Sequence, residues 1–139
     1  MAKDSTDSTI KRPLPITIIA AALLLSGVVG IAVNTFYMVE FTASFMEPLN
    51  LAIFMLEAAF SILYIVVAQG LLAMEEYARR WGVIILVAGV AFRVIVLAIR
   101  FAFGKPLDEI LINLYIAVYV LFAAYLHKNS ARKAFSQAL

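Results

Sequence analysis

Two charged residues, Glu57 and Arg93, stand deep inside long apolar runs of this chain. Charge is costly in such surroundings, so a carboxylate and a guanidinium there either serve a function or neutralise each other. A glutamate can hold a proton or a cation, and beside an arginine it could couple the movement of a small ion or solute. The same two groups could instead form an ion pair that fixes the register of packed helices. Arg100 lies seven residues after Arg93, hence on the same helix face, and extends the predicted intramembrane set to Glu57, Arg93 and Arg100. The ion pair or triad is the favoured reading, because the charges can satisfy one another.

Four apolar stretches, at about 16–39, 49–73, 81–103 and 107–126, must position these groups. Each is close to the ~20 residues that a helix needs to cross a bilayer. Hydrophobic residues make up 65% of the chain and charged residues 14%, and its mean hydropathy is +1.00. That leaves too little polar surface to coat a water-soluble globule. The expected fold is all-α: a membrane-embedded four-helix bundle with antiparallel neighbours, formed by residues 13–127. Residues 1–12 read as a flexible polar and basic tail, and 128–139 as a basic cytoplasmic tail. A basic segment before an apolar run also resembles a secretory signal, but this run is too long for a signal core and no convincing small-x-small cleavage site follows.

Lysine and arginine give the orientation. Lys3, Lys11, Arg12, Arg79, Arg80, Lys128, Arg132 and Lys133 fall on one side, against Arg100 and Lys105 on the other. The positive-inside rule then places both termini in the cytoplasm of a multi-pass cell-membrane protein. Glu75 with Arg79 and Glu76 with Arg80 have the favourable acid-before-base spacing of four, so the segment before the third run is expected to be helical, with Tyr77 and Trp81 at the membrane interface. The loop from Glu40 to Glu47 is acidic, Gly104 to Pro106 turn the chain, and Asp108 and Glu109 suit the first turn of the last helix.

Depth follows from the helical rise of ~1.5 Å per residue. Arg93 lies about 18 Å into the third run and Glu57 about 24 Å from the end of the second, within side-chain reach between antiparallel neighbours. Asn50, Glu57, Ser61 and Tyr64 form a polar interhelical face. Ala22, Ser26 and Gly30 on the first run, and Gly82 and Gly89 on the third, form faces suited to close packing.

Several chemistries find no support in the residues. There is no cysteine, and the single histidine, His127, offers no histidine cluster. GxSxG, HExxH, P-loop and dinucleotide fingerprints are missing. The net charge of +2 sits at helix ends and does not suit nucleic acid. Tyr115, Tyr119 and Phe122 make an aromatic stripe that reads as helix packing. The expectation is a non-enzymatic protein without catalytic residues, cofactor or metal.

Lys11-Arg12-Pro13-Leu14, followed by Thr17-Ile18-Ile19-Ala20, Ser26-Gly27 and Gly30, resembles the start of small four-helix integral membrane proteins of unknown function from archaea and bacteria. Gln69-Gly70-Leu71-Leu72, Arg80-Trp81, Asn113-Leu114 and Tyr125-Leu126 extend the resemblance over most of the chain. It implies a four-span architecture and carries over no catalytic residue. Small multidrug transporters share the size and helix number, but their essential acid lies in the first span, and none occurs here between Ile16 and Val39. The expected role is a structural or accessory subunit of a larger membrane complex, in contact with the lipid bilayer and with other subunits or itself. A small ion or solute transporter using Glu57 and Arg93 is the alternative.

Overall fold

A computed structural model describes residues 12–40, 48–104 and 109–138. These fold into five helices and no strand: α1 (Leu14–Glu40), α2 (Pro48–Leu72), α3 (Glu76–Ala102), α4 (Glu109–His127) and α5 (Asn129–Gln137). Three of them, α1 to α3, are long and apolar enough to cross a membrane, and the described part of α4 adds a shorter apolar helix, Leu114–His127. The expectations for residues 1–11 of the N-terminal tail, for the loop at 41–47 and for Lys105 to Asp108 lie outside the described residues.

Consecutive helices pack against each other, α1 on α2, α2 on α3 and α3 on α4. The contacts run in opposite senses along each pair. Gly27 meets Ile65 and Gly30 meets Ser61; Gly70 meets Ala78, Gly82 meets Val67 and Gly89 meets Tyr64. These pairs therefore run antiparallel, and Gly82 beside Leu126 with Arg93 beside Tyr115 gives the same sense for α3 and α4.

The α2–α3 hairpin closes in three residues. Glu75 N–H donates to Gly70 O at 2.9 Å and Met74 N–H to Leu71 O at 3.1 Å, the paired bonds of a Schellman motif. Met74 takes the left-handed position with φ 57°, where glycine is usual and an L side chain costs roughly 1–2 kcal/mol. Its side chain is buried in the core, and that burial offsets the strain. The tight turn also starts α3 at Glu76, five residues before the apolar run begins.

On α1 the buried seam is Ile16, Ile19, Ala20, Leu23 and Gly27, a spacing of three and four that faces one neighbour. The expected face of Ala22, Ser26 and Gly30 is thus displaced. At about 100° per residue a four-residue repeat drifts about 40° each step, so Ala22 falls to the side and Ser26 to the edge. Gly30 reaches the contact, where a Cβ would run into Ser61.

Gly82 and Gly89 both face α2, but with different tolerance. A Cβ at Gly82 would meet the methyl ends of Val67 at 3.2 Å and Leu126 at 3.3 Å, which can yield, whereas at Gly89 it would strike the Tyr64 hydroxyl. We expect Gly89→Ala to cost about 2 kcal/mol, in the usual range for overpacking, and Gly82→Ala well under half of that. Thermal melts of the two variants in one detergent would measure the difference; equal losses would show that Tyr64 moves freely.

The chain does not trail away after α4. It bends at Lys128 into α5, whose Ala131 and Phe135 are fully buried against the ends of α3 and α4. The basic residues Arg132 and Lys133 stay exposed on its outer side.

Candidate functional site

Glu57 and Arg93 meet in the middle of the α2–α3 hairpin, where Arg93 Nη1 donates to Glu57 Oε1 at 2.9 Å. The helix ends explain the match in depth. Glu57 lies 15 residues before the end of α2 and Arg93 17 residues after the start of α3, about 22 and 26 Å at ~1.5 Å per residue. Arg100 does not join them. It is exposed and forms no ion pair with Glu57, because seven residues carry it roughly 10 Å further along the helix. The predicted triad is a pair.

The pair is not sealed between its helices. The Arg93 side chain is 40% exposed and that of Glu57 19%, and both line a cavity of about 270 Å3 to which α1, α2, α3 and α4 all contribute. Ser26 and Gly30 come from α1, Ser61 and Tyr64 from α2, Gly89 from α3 and Tyr115 from α4. Phe60 and Phe92, stacked at 5.4 Å, supply apolar wall. Gly89 and Gly30 matter because they let Tyr64 and Ser61 approach the opposite helices.

Polar groups in and beside the cavity are unevenly used. Ser61 Oγ donates to the Glu57 backbone carbonyl at 2.8 Å, the back-bonding expected of a serine inside a helix. The Arg93 guanidinium lies 5.4 Å from the centre of the Tyr115 ring, a cation–π contact. One of its N–H groups serves Glu57, and among the described residues no other hydrogen bond from it is found. Behind Tyr115, Tyr119 packs edge-on against Tyr64 at 5.4 Å and lies tilted against Tyr115 at 4.0 Å. The Tyr119 hydroxyl is buried and lacks a partner of good hydrogen-bond geometry.

Of the predicted polar face, Ser61 and Tyr64 are buried at this site, while Asn50 lies partly exposed two turns before Glu57. Tyr115 belongs to the site although its spacing spoke only of packing. The spacing of the stripe does not fix the direction of its ring, which the assembled helices decide.

A second charged cluster sits at the start of α3. Arg79 is buried, donating from Nε to Glu76 Oε2 at 2.9 Å, from Nη2 to Glu76 Oε1 at 2.6 Å and from Nη1 to Leu126 O at 3.0 Å. Arg80 adds a 3.2 Å contact to the same carboxylate. The expected Glu75–Arg79 pair is therefore replaced by Glu76 serving both arginines. Glu75 has extended backbone at the N-cap, so helical spacing does not apply from it. Arg79 also supplies one of the orphan carbonyls in the last turn of α4 with a donor. Tyr77 and Trp81 are exposed on the same end of α3.

The fold and site define an all-α protein with three helices able to span a membrane and a charged cavity between its helices. Comparison with protein-family models, with curated proteins and with solved structures finds no match.

Proposed function

We propose that this chain is a non-enzymatic four-span bundle of the cell membrane, with both termini cytoplasmic, that binds and carries a small polar solute at Glu57 and Arg93. The observation that supports this reading is the cavity of about 270 Å3 at the ion pair. A pair that served only to fix register needs no space beside it, whereas these side chains remain partly accessible and line a cavity. Intramembrane charges that face such a space are the usual mark of a solute or ion path. The test is flux of small organic ions and neutral solutes into liposomes containing the purified protein. Transport that is lost in both Glu57→Gln and Arg93→Gln supports the reading; flux unchanged by either variant removes it.

The orientation rests on the basic residues Arg12, Arg79, Arg80, Lys128, Arg132 and Lys133 at one end of the helices. Single cysteines replacing Ser5, Glu75 and Ser136 should be labelled from the cytoplasm, and those replacing Ser44 and Phe103 from outside. The chain has no native cysteine to interfere. The reverse pattern would invert the topology.

The accessory-subunit reading keeps one observation in its favour. Only 28%, 22% and 28% of the most apolar windows of α1, α2 and α3 are buried by the chain itself, which leaves apolar helix faces for partner subunits as well as lipid. Mass measurement of the native particle after gentle solubilisation separates the two. A stoichiometric heteromeric complex supports a subunit, and a particle of this chain alone supports a carrier.

A further inference from the structure

The two charges of the cavity differ in one chemical respect. A guanidinium stays protonated in proteins, while a carboxylate can accept a proton. Inside a low-dielectric cavity a loaded site of unbalanced charge is strongly disfavoured. An entering cation would leave net positive charge beside Arg93, which cannot discharge it. An entering anion can replace Glu57 on Arg93 if Glu57 takes up a proton from water, and the total charge then stays at zero.

Resting on the solute-binding reading above, we propose that the cavity takes a small monocarboxylate together with one proton, the anion exchanging with Glu57 as the partner of Arg93. Arg93 has the donors for it, since among the described residues a single N–H is committed, to Glu57, and a guanidinium can grip a carboxylate through two parallel hydrogen bonds. Size and lining set the rest of the ligand. About 270 Å3, walled partly by Phe60, Phe92 and Val33, suits a short apolar body behind the carboxylate better than a bare inorganic anion. The other titratable groups facing the pair are Tyr64 from α2 and Tyr115 with Tyr119 from α4, and α1 presents only Ser26 and uncharged neighbours among the described residues. Glu57 is thus the group that accepts the proton.

Titration calorimetry of the full-length protein in lipid nanodiscs tests this with butyrate, butylammonium and butyramide as probes, each in two buffers of different ionisation enthalpy. Butyrate should bind with uptake of one proton, so that its Kd rises up to tenfold per pH unit as the solution becomes more alkaline. In Glu57→Gln the proton uptake and the pH dependence should vanish while butyrate still binds, and butyrate should raise the melting temperature of this variant more than that of the wild type. Arg93→Gln should abolish binding; should that variant fail to fold, Arg93→Lys keeps the charge without the fork and should weaken butyrate roughly tenfold. Binding of butyrate without proton uptake, or of butylammonium or butyramide in its place, overturns the proposal and leaves the solute-binding reading standing. No binding of any of the three probes overturns both.

Discussion

Arg79→Met is expected to lower the stability of the protein by about 3 kcal/mol, the largest loss of any single charge removal in the described residues. The side chain is 4% exposed and makes three hydrogen bonds, two to Glu76 and one to the Leu126 carbonyl. Breaking a buried pair typically costs ~3–5 kcal/mol because the remaining partner is left uncompensated. The lower end applies here, since Glu76 is 24% exposed and keeps Arg80 as a neighbour. The Leu126 carbonyl is the second source of loss. It would stand without its donor at a helix end against which Ala131 and Phe135 of α5 pack close by. Arg79→Met should therefore also loosen α5, which amide hydrogen exchange along Asn129–Gln137 would report. A melt within 1 kcal/mol of the wild type would show that the contacts of Arg79 are dispensable.

Glu57→Gln and Arg93→Gln are each expected to cost about 2 kcal/mol, and the double variant less than the sum. The figure is placed below the range for fully buried pairs because Arg93 is 40% exposed, and partly accessible charges interact less strongly than sealed ones. Either single change leaves one charge among apolar walls; the double change removes both. Residues in direct contact show such non-additivity, commonly 0.5–3 kcal/mol. Additive losses in detergent melts would mean that the two groups are not coupled. Tyr115→Leu, which removes the ring beneath the guanidinium, should raise the cost of Glu57→Gln further, because the cation would lose its second source of stabilisation.

The apolar cores of the helices are legible from hydropathy. For the third helix hydropathy places the apolar run from Trp81, the spacing of acids and arginines ahead of it predicts helix in the polar segment, and α3 begins at Glu76. The polar segment is helical because Glu76 can serve Arg79 and Arg80 within one turn, a local electrostatic gain that an average over apolar character does not register. In the C-terminal segment the charge predicts a basic tail, and the structure adds that it is helical, with Ala131 and Phe135 buried and Ala134 packed against the core.

By itself the sequence determined how deep each residue lies. Apolar length and the rise per residue are properties of one helix, and in tight antiparallel hairpins they carry Glu57 and Arg93 to similar depth whatever else the chain does. Direction around the helix axis belongs to the assembled set. A turn of a few tens of degrees in α1 moves Ser26 from contact to cavity wall, and the packing of Gly27 on Ile65 and of Gly30 on Ser61 fixes that turn. The tertiary structure therefore decided that Arg100 points away, that Tyr115 lies under Arg93 and that the two charges border a space and are not sealed. A cavity is the volume that several helices fail to fill together, so no single helix encodes it.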